Sequence, residues 1–157
     1  MTQGYGDGME ENCLIILDSS GSMNEEGKQT AGEYLLRAVA GFLRDGFPGV
    51  CCGAYTWGAD IARYGGKPAA GGAKLNADAL AAFAANHRDT PMILISDGNF
   101  SERDCRALAG LSKIERIRAV IVGADANRLR LQKIIGQGRV FESADAIECA
   151  RQLLMEQ

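Results

Sequence analysis

The chain has 157 residues, of which 46% are hydrophobic and 24% are charged. These values are typical of one globular domain and exclude a disordered or membrane-spanning class. Seventeen basic residues against 20 acidic ones give a net charge of −3, which argues against nucleic-acid binding, because such proteins gather a basic surplus on one face. The first apolar run, Cys13–Leu17, is too short for a signal sequence or a membrane span. We therefore expect a cytoplasmic protein that has no membrane partner and is monomeric on its own.

Metal-binding and catalytic cysteine or histidine sites have little support. The five cysteines are scattered and form no Cys-x-x-Cys pair, so we expect free thiols. His87 is the only histidine and lies in a polar segment, which leaves Ser-His-Asp or Cys-His catalysis without a credible base. We predict no catalytic residue and no enzymatic activity.

Apolar runs and amphipathic stretches alternate along the chain. Patterns typical of helices occur over residues 28–45 and 77–86, from Ser101 to Ile114, around Leu131–Ile135 and over Ile147–Leu154. Patterns typical of strands occur, in chain order, at Cys13–Leu17, Val50–Tyr55, Asp60–Tyr64, Met92–Ile95, Ala119–Val122 and Arg139–Phe141.

The strand patterns predict the sheet. Leu14–Leu17 and Met92–Ile95 do not alternate apolar with polar residues, which is typical of central parallel strands covered on both faces. The four residues Thr56–Ala59 separate two runs and predict a hairpin, hence one antiparallel edge strand. We predict an α/β fold: a Rossmann-like, doubly wound, mostly parallel six-stranded sheet with helices on both faces. Residues 1–11 are predicted to form a flexible tail and residues 12–157 a single domain.

Oxygen-bearing side chains follow the two central strands. Asp18, Ser20 and Ser22 lie in one short turn after the first strand, and Asp97 follows the Met92–Ile95 strand. Ligands bind open α/β sheets at the carboxyl ends of the strands. Two carboxylates and two hydroxyls are hard oxygen ligands that suit Mg²⁺ or Mn²⁺. Serine and aspartate are also ordinary turn and helix-capping residues, but the pairing of two apolar strand-Asp units favours a metal site.

The segments LIILDSSGSM and MILISDGN resemble the first and fourth strands of a von Willebrand factor A domain, and AVIVGADAN with RVFESADAIECARQLL resembles its last two strand-helix units. The resemblance implies a metal-ion-dependent adhesion site formed by Asp18, Ser20, Ser22 and Asp97. It implies a protein partner that offers an Asp or Glu carboxylate to the ion. It also points to stand-alone prokaryotic domains of stress-response, tellurium-resistance or AAA-ATPase-associated systems.

One position departs from that family. Its site usually includes a threonine in the loop before the second helix, where this chain has Ala73. Thr56, Asn76 and Asp78 are possible replacements, although none matches the motif. We therefore expect weak binding of Mg²⁺ or Mn²⁺.

Two other functions compete with the binding module. A magnesium-dependent phosphohydrolase of the haloacid dehalogenase type also has an aspartate after its first strand, but it needs a second acid two residues on, where this chain has Ser20. A dinucleotide or phosphate binder would need a GxGxxG or P-loop motif after the first strand, and neither is present there.

Overall fold

Strands and helices alternate in the computed structural model, which describes residues 10–25, 27–66 and 74–156. In this part of the chain the elements are β1 (Cys13–Asp18), α1 (Lys28–Gly46), β2 (Cys52–Trp57), β3 (Ile61–Arg63), α2 (Ala77–Asn86), β4 (Met92–Ser96), α3 (Glu102–Ala107), β5 (Ile117–Ile121), α4 (Arg128–Ile135), β6 (Val140–Phe141) and α5 (Ala146–Met155). A short 3-10 turn at Gly21–Asn24 follows β1.

The strands form one six-stranded sheet in the order β3-β2-β1-β4-β5-β6. Only the pair of β2 and β3 is antiparallel, and every other neighbouring pair is parallel. The predicted fold class, including the antiparallel edge strand, is confirmed. Strands β1 and β4 lie side by side at the centre, so their carboxyl ends meet at one edge of the sheet.

The sheet separates two layers of apolar core, because successive side chains of a strand point to opposite faces. Leu14 and Ile16 of β1 belong to the layer that contains α2 and α4. Ile15 and Leu17 belong to the layer that contains α1 and α5. Every residue of β1 and β4 is buried, which explains why neither sequence alternates apolar with polar residues.

Several predicted boundaries differ from the structure by one or two residues, and those of α3 and of the hairpin change the local structure. Helix α3 ends at Ala107 instead of continuing to Ile114, and a 3-10 turn covers Ala109–Lys113. Gly110 is a poor helix former, and the tighter turn still buries the leucines predicted to face the core. The hairpin loop is also shorter than predicted, because β2 continues through Trp57, which pairs with Ile61 of β3.

The beginning of the described chain runs beside β2. Asn12 donates its backbone N–H to the carbonyl of Cys51 at 2.9 Å. Glu11, which we assigned to the tail, accepts hydrogen bonds of 2.5 Å from Tyr55 and from Arg63. Residues 1–9 lie outside the described part, so the boundary between tail and domain stays a prediction. Within the described part, no helix has both the length and the apolar character needed to cross a membrane.

Candidate functional site

The predicted site lies where β1 and β4 end side by side. Asp18 is the last residue of β1, and Asp97 directly follows β4. Both aspartates are fully buried, with no exposed surface. Two adjacent parallel strands thus bring together carboxylates that are far apart in sequence.

The Asp18 carboxylate accepts hydrogen bonds from the loop after β1 and from the end of β4. Its Oδ1 accepts a hydrogen bond of 2.8 Å from the backbone N–H of Ser20. Its Oδ2 accepts one of 2.7 Å from Ser96 Oγ, and that hydroxyl in turn accepts the N–H of Gly98 at 3.0 Å. The orientation of Asp18 is therefore fixed by the residues around it.

Burial raises the pKa of Asp18 to about 6, because the charged form has lost its hydration. The hydrogen bonds from Ser20 and Ser96 act in the opposite direction, and the negative charge of Asp97 adds to the increase. Asp18 is therefore mainly ionised at pH 7, but its surroundings compensate its negative charge poorly. A cation near it would relieve that deficit.

The two serines of the motif lie next to each other. The hydroxyl oxygens of Ser20 and Ser22 are 3.2 Å apart. The 3-10 turn after Ser20 places Met23 in the core, and the N–H of Met23 bonds to the Ser20 carbonyl at 3.0 Å. This apolar anchor fixes the turn that carries both hydroxyls.

Asp97 contacts a buried lysine. Its Oδ2 accepts a hydrogen bond of 3.1 Å from Lys28 Nζ, and its Oδ1 accepts one of 3.1 Å from the N–H of Asn99. Lys28 Nζ also lies 2.6 Å from Asp125 Oδ1 and 3.7 Å from Glu25 Oε1. Burial alone would lower the pKa of Lys28, but the bonds to Asp125 and Asp97 outweigh it and raise the pKa.

The structure brings Asp18, Ser20, Ser22 and Asp97 to one edge of the sheet. It gives two of the proposed threonine replacements other partners. The Asn76 side chain caps α2 by accepting the N–H of Ala79 at 3.2 Å, and the Thr56 hydroxyl points to the carbonyl of Ala62 at 3.5 Å. Asp78 is exposed in the first turn of α2. Ala73 itself lies outside the described residues.

Sequence reasoning missed three residues of the site: Ser96, Lys28 and Asp125. Ser96 looks like the polar end of a strand, and Asp125 looks like a loop residue. An anionic partner for Lys28 could have been inferred from the sequence, because a cation at the first position of a helix opposes the helix dipole and is unfavourable there without a partner.

Gly98 lies where the loop after β4 packs against the loop before α4. Its φ of +72° is strained for other residues, and a Cβ there would lie 2.7 Å from the carbonyl oxygen of Asn127. We expect Gly98→Ala to lower the free energy of unfolding by about 1–3 kcal/mol through strain and this clash. Urea denaturation should measure the loss. Gly110→Ala is the control, since nothing lies within 4 Å of its Cβ position; equal effects of the two substitutions would contradict this account.

No protein-family model matches the chain, and a comparison with curated proteins finds no match. Solved structures do resemble it. An aerotolerance-related membrane protein from Bacteroides fragilis, solved with multiple mutations to serines, is 14% identical over 94% of this chain and 98% of its own, with a TM-score of 0.65. The von Willebrand factor type A protein from Catenulispora acidiphila is 20% identical over 92% of this chain and 42% of its own, with a TM-score of 0.57.

A third structure, the conserved hypothetical protein BatB from Bacteroides thetaiotaomicron, is 12% identical over 92% of this chain and 99% of its own, with a TM-score of 0.63. Two of these three chains are covered almost completely, so the likeness extends to the whole domain. At such identities it establishes the fold and leaves the function to be argued from the site.

Proposed function

Because the chain has a von Willebrand factor A-like fold, we propose that it is a protein-interaction module. In this proposal Asp18, Ser20, Ser22 and Asp97 hold a Mg²⁺ or Mn²⁺ ion, and the partner supplies an Asp or Glu carboxylate. The ion would offer that carboxylate an open coordination position. The residues of the chain itself fix the geometry and the charge of the site.

The excess of negative charge at the site supports a divalent ion. The buried carboxylates of Asp18 and Asp97 end the two adjacent central strands, and the Lys28 ammonium contacts Asp97, Asp125 and Glu25. The negative charge of these carboxylates exceeds the single positive charge of Lys28, and a bound divalent cation would reduce that excess. The neighbouring hydroxyls of Ser20 and Ser22 add oxygen donors without further charge. The donor set therefore fits a hard divalent cation better than a monovalent one.

An exposed apolar side chain beside the site favours a protein partner. Leu129, the second residue of α4, is 76% exposed. The loop before α4 is joined to the site, since the N–H of Asn127 donates to the Asp97 carbonyl at 2.7 Å. A protein could bury Leu129 while its carboxylate reaches the site, and both contacts would contribute to the affinity.

The phosphohydrolase alternative has no support from the structural comparisons, and we propose that the chain is not an enzyme. A metal-dependent hydrolysis of phosphoesters that is lost in Asp18→Asn would contradict this. The cytoplasmic location and the role in a stress-response, tellurium-resistance-like or AAA-ATPase-associated system stay predictions from the sequence.

We expect the ion to stabilise the fold. With a dissociation constant of about 1 mM, 10 mM Mn²⁺ would add roughly 1.4 kcal/mol, or about 3–6 °C in Tm. Asp18→Ala should abolish this increment, because it removes a carboxylate that the ion needs. Thermal unfolding with Mn²⁺ or with EDTA measures it, and an equal shift in the variant would place the ion elsewhere.

Partner binding tests the function itself. Affinity capture with the wild-type chain and with Asp18→Ala, each in Mg²⁺ and in EDTA, should yield a protein retained only by the wild type in Mg²⁺. Replacing acidic residues of that protein one at a time should identify the carboxylate that reaches the site. A partner retained equally in all four conditions would contradict the proposal.

A further inference from the structure

Lys28 is a buried cation inside a site that we propose to hold another cation. We propose that the Lys28 ammonium competes with the divalent ion for Asp97, and that Asp125 retains the ammonium when Asp97 is released. This inference rests on the proposed metal site and adds to it a built-in control of its affinity.

The position of the ammonium is the first argument. Lys28 is only 4% exposed, and its Nζ lies 3.1 Å from Asp97 Oδ2, on the carboxylate that the ion would use. An ion pair at this distance, shielded from water, is stronger than a surface pair. A divalent ion drawn to Asp97 would therefore meet a positive charge already bound to the same carboxylate.

The route of the lysine side chain is the second argument. Lys28 passes directly over Gly123, where a Cβ would lie 2.9 Å from the Lys28 Cε and 3.1 Å from its Cδ. Gly123 has a φ of +99°, a conformation that glycine adopts without strain. Because residue 123 has no side chain, the Lys28 side chain can pass over it and place the ammonium beside Asp97.

Asp125 provides the alternative partner. Its Oδ1 lies 2.6 Å from Lys28 Nζ, closer than the oxygen of Asp97, and its side chain is 59% exposed. The hydrogen bond from Lys28 lowers the pKa of Asp125, so that carboxyl stays ionised near neutral pH. Because Asp125 is not confined by burial, it can remain paired with the ammonium if Lys28 moves away from Asp97.

The affinity of the site for the divalent ion would then depend on how readily Lys28 exchanges Asp97 for Asp125. Without the ion, Lys28 neutralises part of the charge on Asp97 and thereby stabilises the folded state. With the ion, Lys28 leaves Asp97 and keeps its pairs with Asp125 and Glu25. Removing the ammonium should tighten binding, and removing its alternative partner should weaken binding.

The first test is isothermal titration of Mn²⁺ into the full chain and into Lys28→Met. Methionine has a similar length but no charge, so we expect binding about tenfold tighter, at the lower end of the 10–100-fold range typical of residues around a metal site. Lys113→Met is the matched control, because Lys113 is an exposed lysine in the turn before β5, at the end of the sheet opposite the site, and its affinity should equal that of the wild type.

The second test is Asp125→Asn in the wild-type and Lys28→Met backgrounds. Competition predicts that the substitution weakens Mn²⁺ binding several-fold only while Lys28 is present. A general electrostatic effect of the Asp125 charge would instead weaken binding equally in both backgrounds. The double-mutant cycle therefore separates exchange of the ammonium from the loss of a charge.

The outcomes distinguish this inference from the proposed function. If the wild type binds Mn²⁺ and Lys28→Met binds with the same or lower affinity, the competition is wrong and the metal site stands. Equal effects of Asp125→Asn in the two backgrounds also overturn the competition. If neither the wild type nor Lys28→Met binds Mn²⁺, both proposals fail. Should Lys28→Met not fold, Lys28→Gln replaces it in both tests, because its uncharged amide removes the competing charge and can still donate a hydrogen bond to Asp97.

Discussion

Trp57→Ala is expected to lower the free energy of unfolding by about 3–5 kcal/mol, the cost of removing a large aromatic side chain from a core. The indole is fully buried and packs against Phe100 with ring centres 5.7 Å apart. Its Nε1 donates to the Asn76 carbonyl at 2.8 Å, so the substitution also removes one of the hydrogen bonds that hold the start of α2 to the sheet, the other being from the N–H of Asn76 to the carbonyl of Gly58. For a domain of this size the loss corresponds to roughly 10 °C in Tm.

Calorimetry or urea denaturation should measure the effect of Trp57→Ala. Trp57→Phe, which keeps an aromatic ring but loses the N–H donor, should show a smaller loss. Tyr34→Ala is the surface control, because Tyr34 is 70% exposed, and its effect should remain within about 0.5 kcal/mol. A change in Trp57→Ala as small as in the control would mean that the indole is not part of the core.

Asp18→Asn is expected to have two opposite effects, a loss of metal binding and a gain of stability in EDTA at pH 8. The pKa of Asp18 is raised from 3.8 to about 6 in the folded chain, so ionised Asp18 opposes folding. Two pKa units correspond to roughly 3 kcal/mol, which is the largest gain that the neutral amide could bring. Asparagine keeps an oxygen that can accept the N–H of Ser20.

The pH dependence follows from the direction of the shift. Because the folded state holds the Asp18 proton more tightly than the unfolded state, its contribution is fully present below pH 3.8 and is lost as the pH rises through about 6. The metal-free wild type should therefore gain stability relative to Asp18→Asn between pH 8 and pH 5. Urea unfolding in EDTA across this range measures the difference.

Asp45→Asn is the control for that experiment, since Asp45 is exposed and remote from the buried site. Its stability relative to the wild type should not change with pH in the same way. A difference between Asp18→Asn and the wild type that stays constant from pH 8 to pH 5 would show that burial does not disfavour the Asp18 charge. Mn²⁺ titration of Asp18→Asn should detect no binding at the site.

Much of the fold could be predicted because its signals are local. The continuous apolar runs of β1 and β4 already indicate strands covered on both faces, and the spacing of apolar residues places α1 and α2 within about a residue of their observed bounds. The end of α3 and the bounds of β2, which lie two residues later than predicted, could not be predicted in this way. They depend on tertiary packing, which buries Leu111 in a tighter turn and pairs Trp57 with β3.

The candidate site was predictable only where its residues follow a strand. Asp18 and Asp97 could be found because adjacent parallel strands end at one edge. Lys28 reaches Asp97 across 69 residues of sequence, and nothing within its helix indicates which carboxylate it contacts. The residues proposed as oxygen ligands thus lie in short sequence motifs, whereas the position of the Lys28 ammonium depends on the assembled sheet and on the space above Gly123.

The two edge strands restrict how another chain can bind. Strand β3 has three residues and β6 has two, so each presents few free backbone N–H and carbonyl groups along the described edges. Long unpaired edges act as templates for a further strand, and short ones avoid this form of association. A peptide that extends the sheet would gain only a few backbone hydrogen bonds here. We therefore expect partners to be selected by their side chains at the loop end of the sheet, so that a change of one carboxylate in a partner would matter more than a change in its propensity to form a strand.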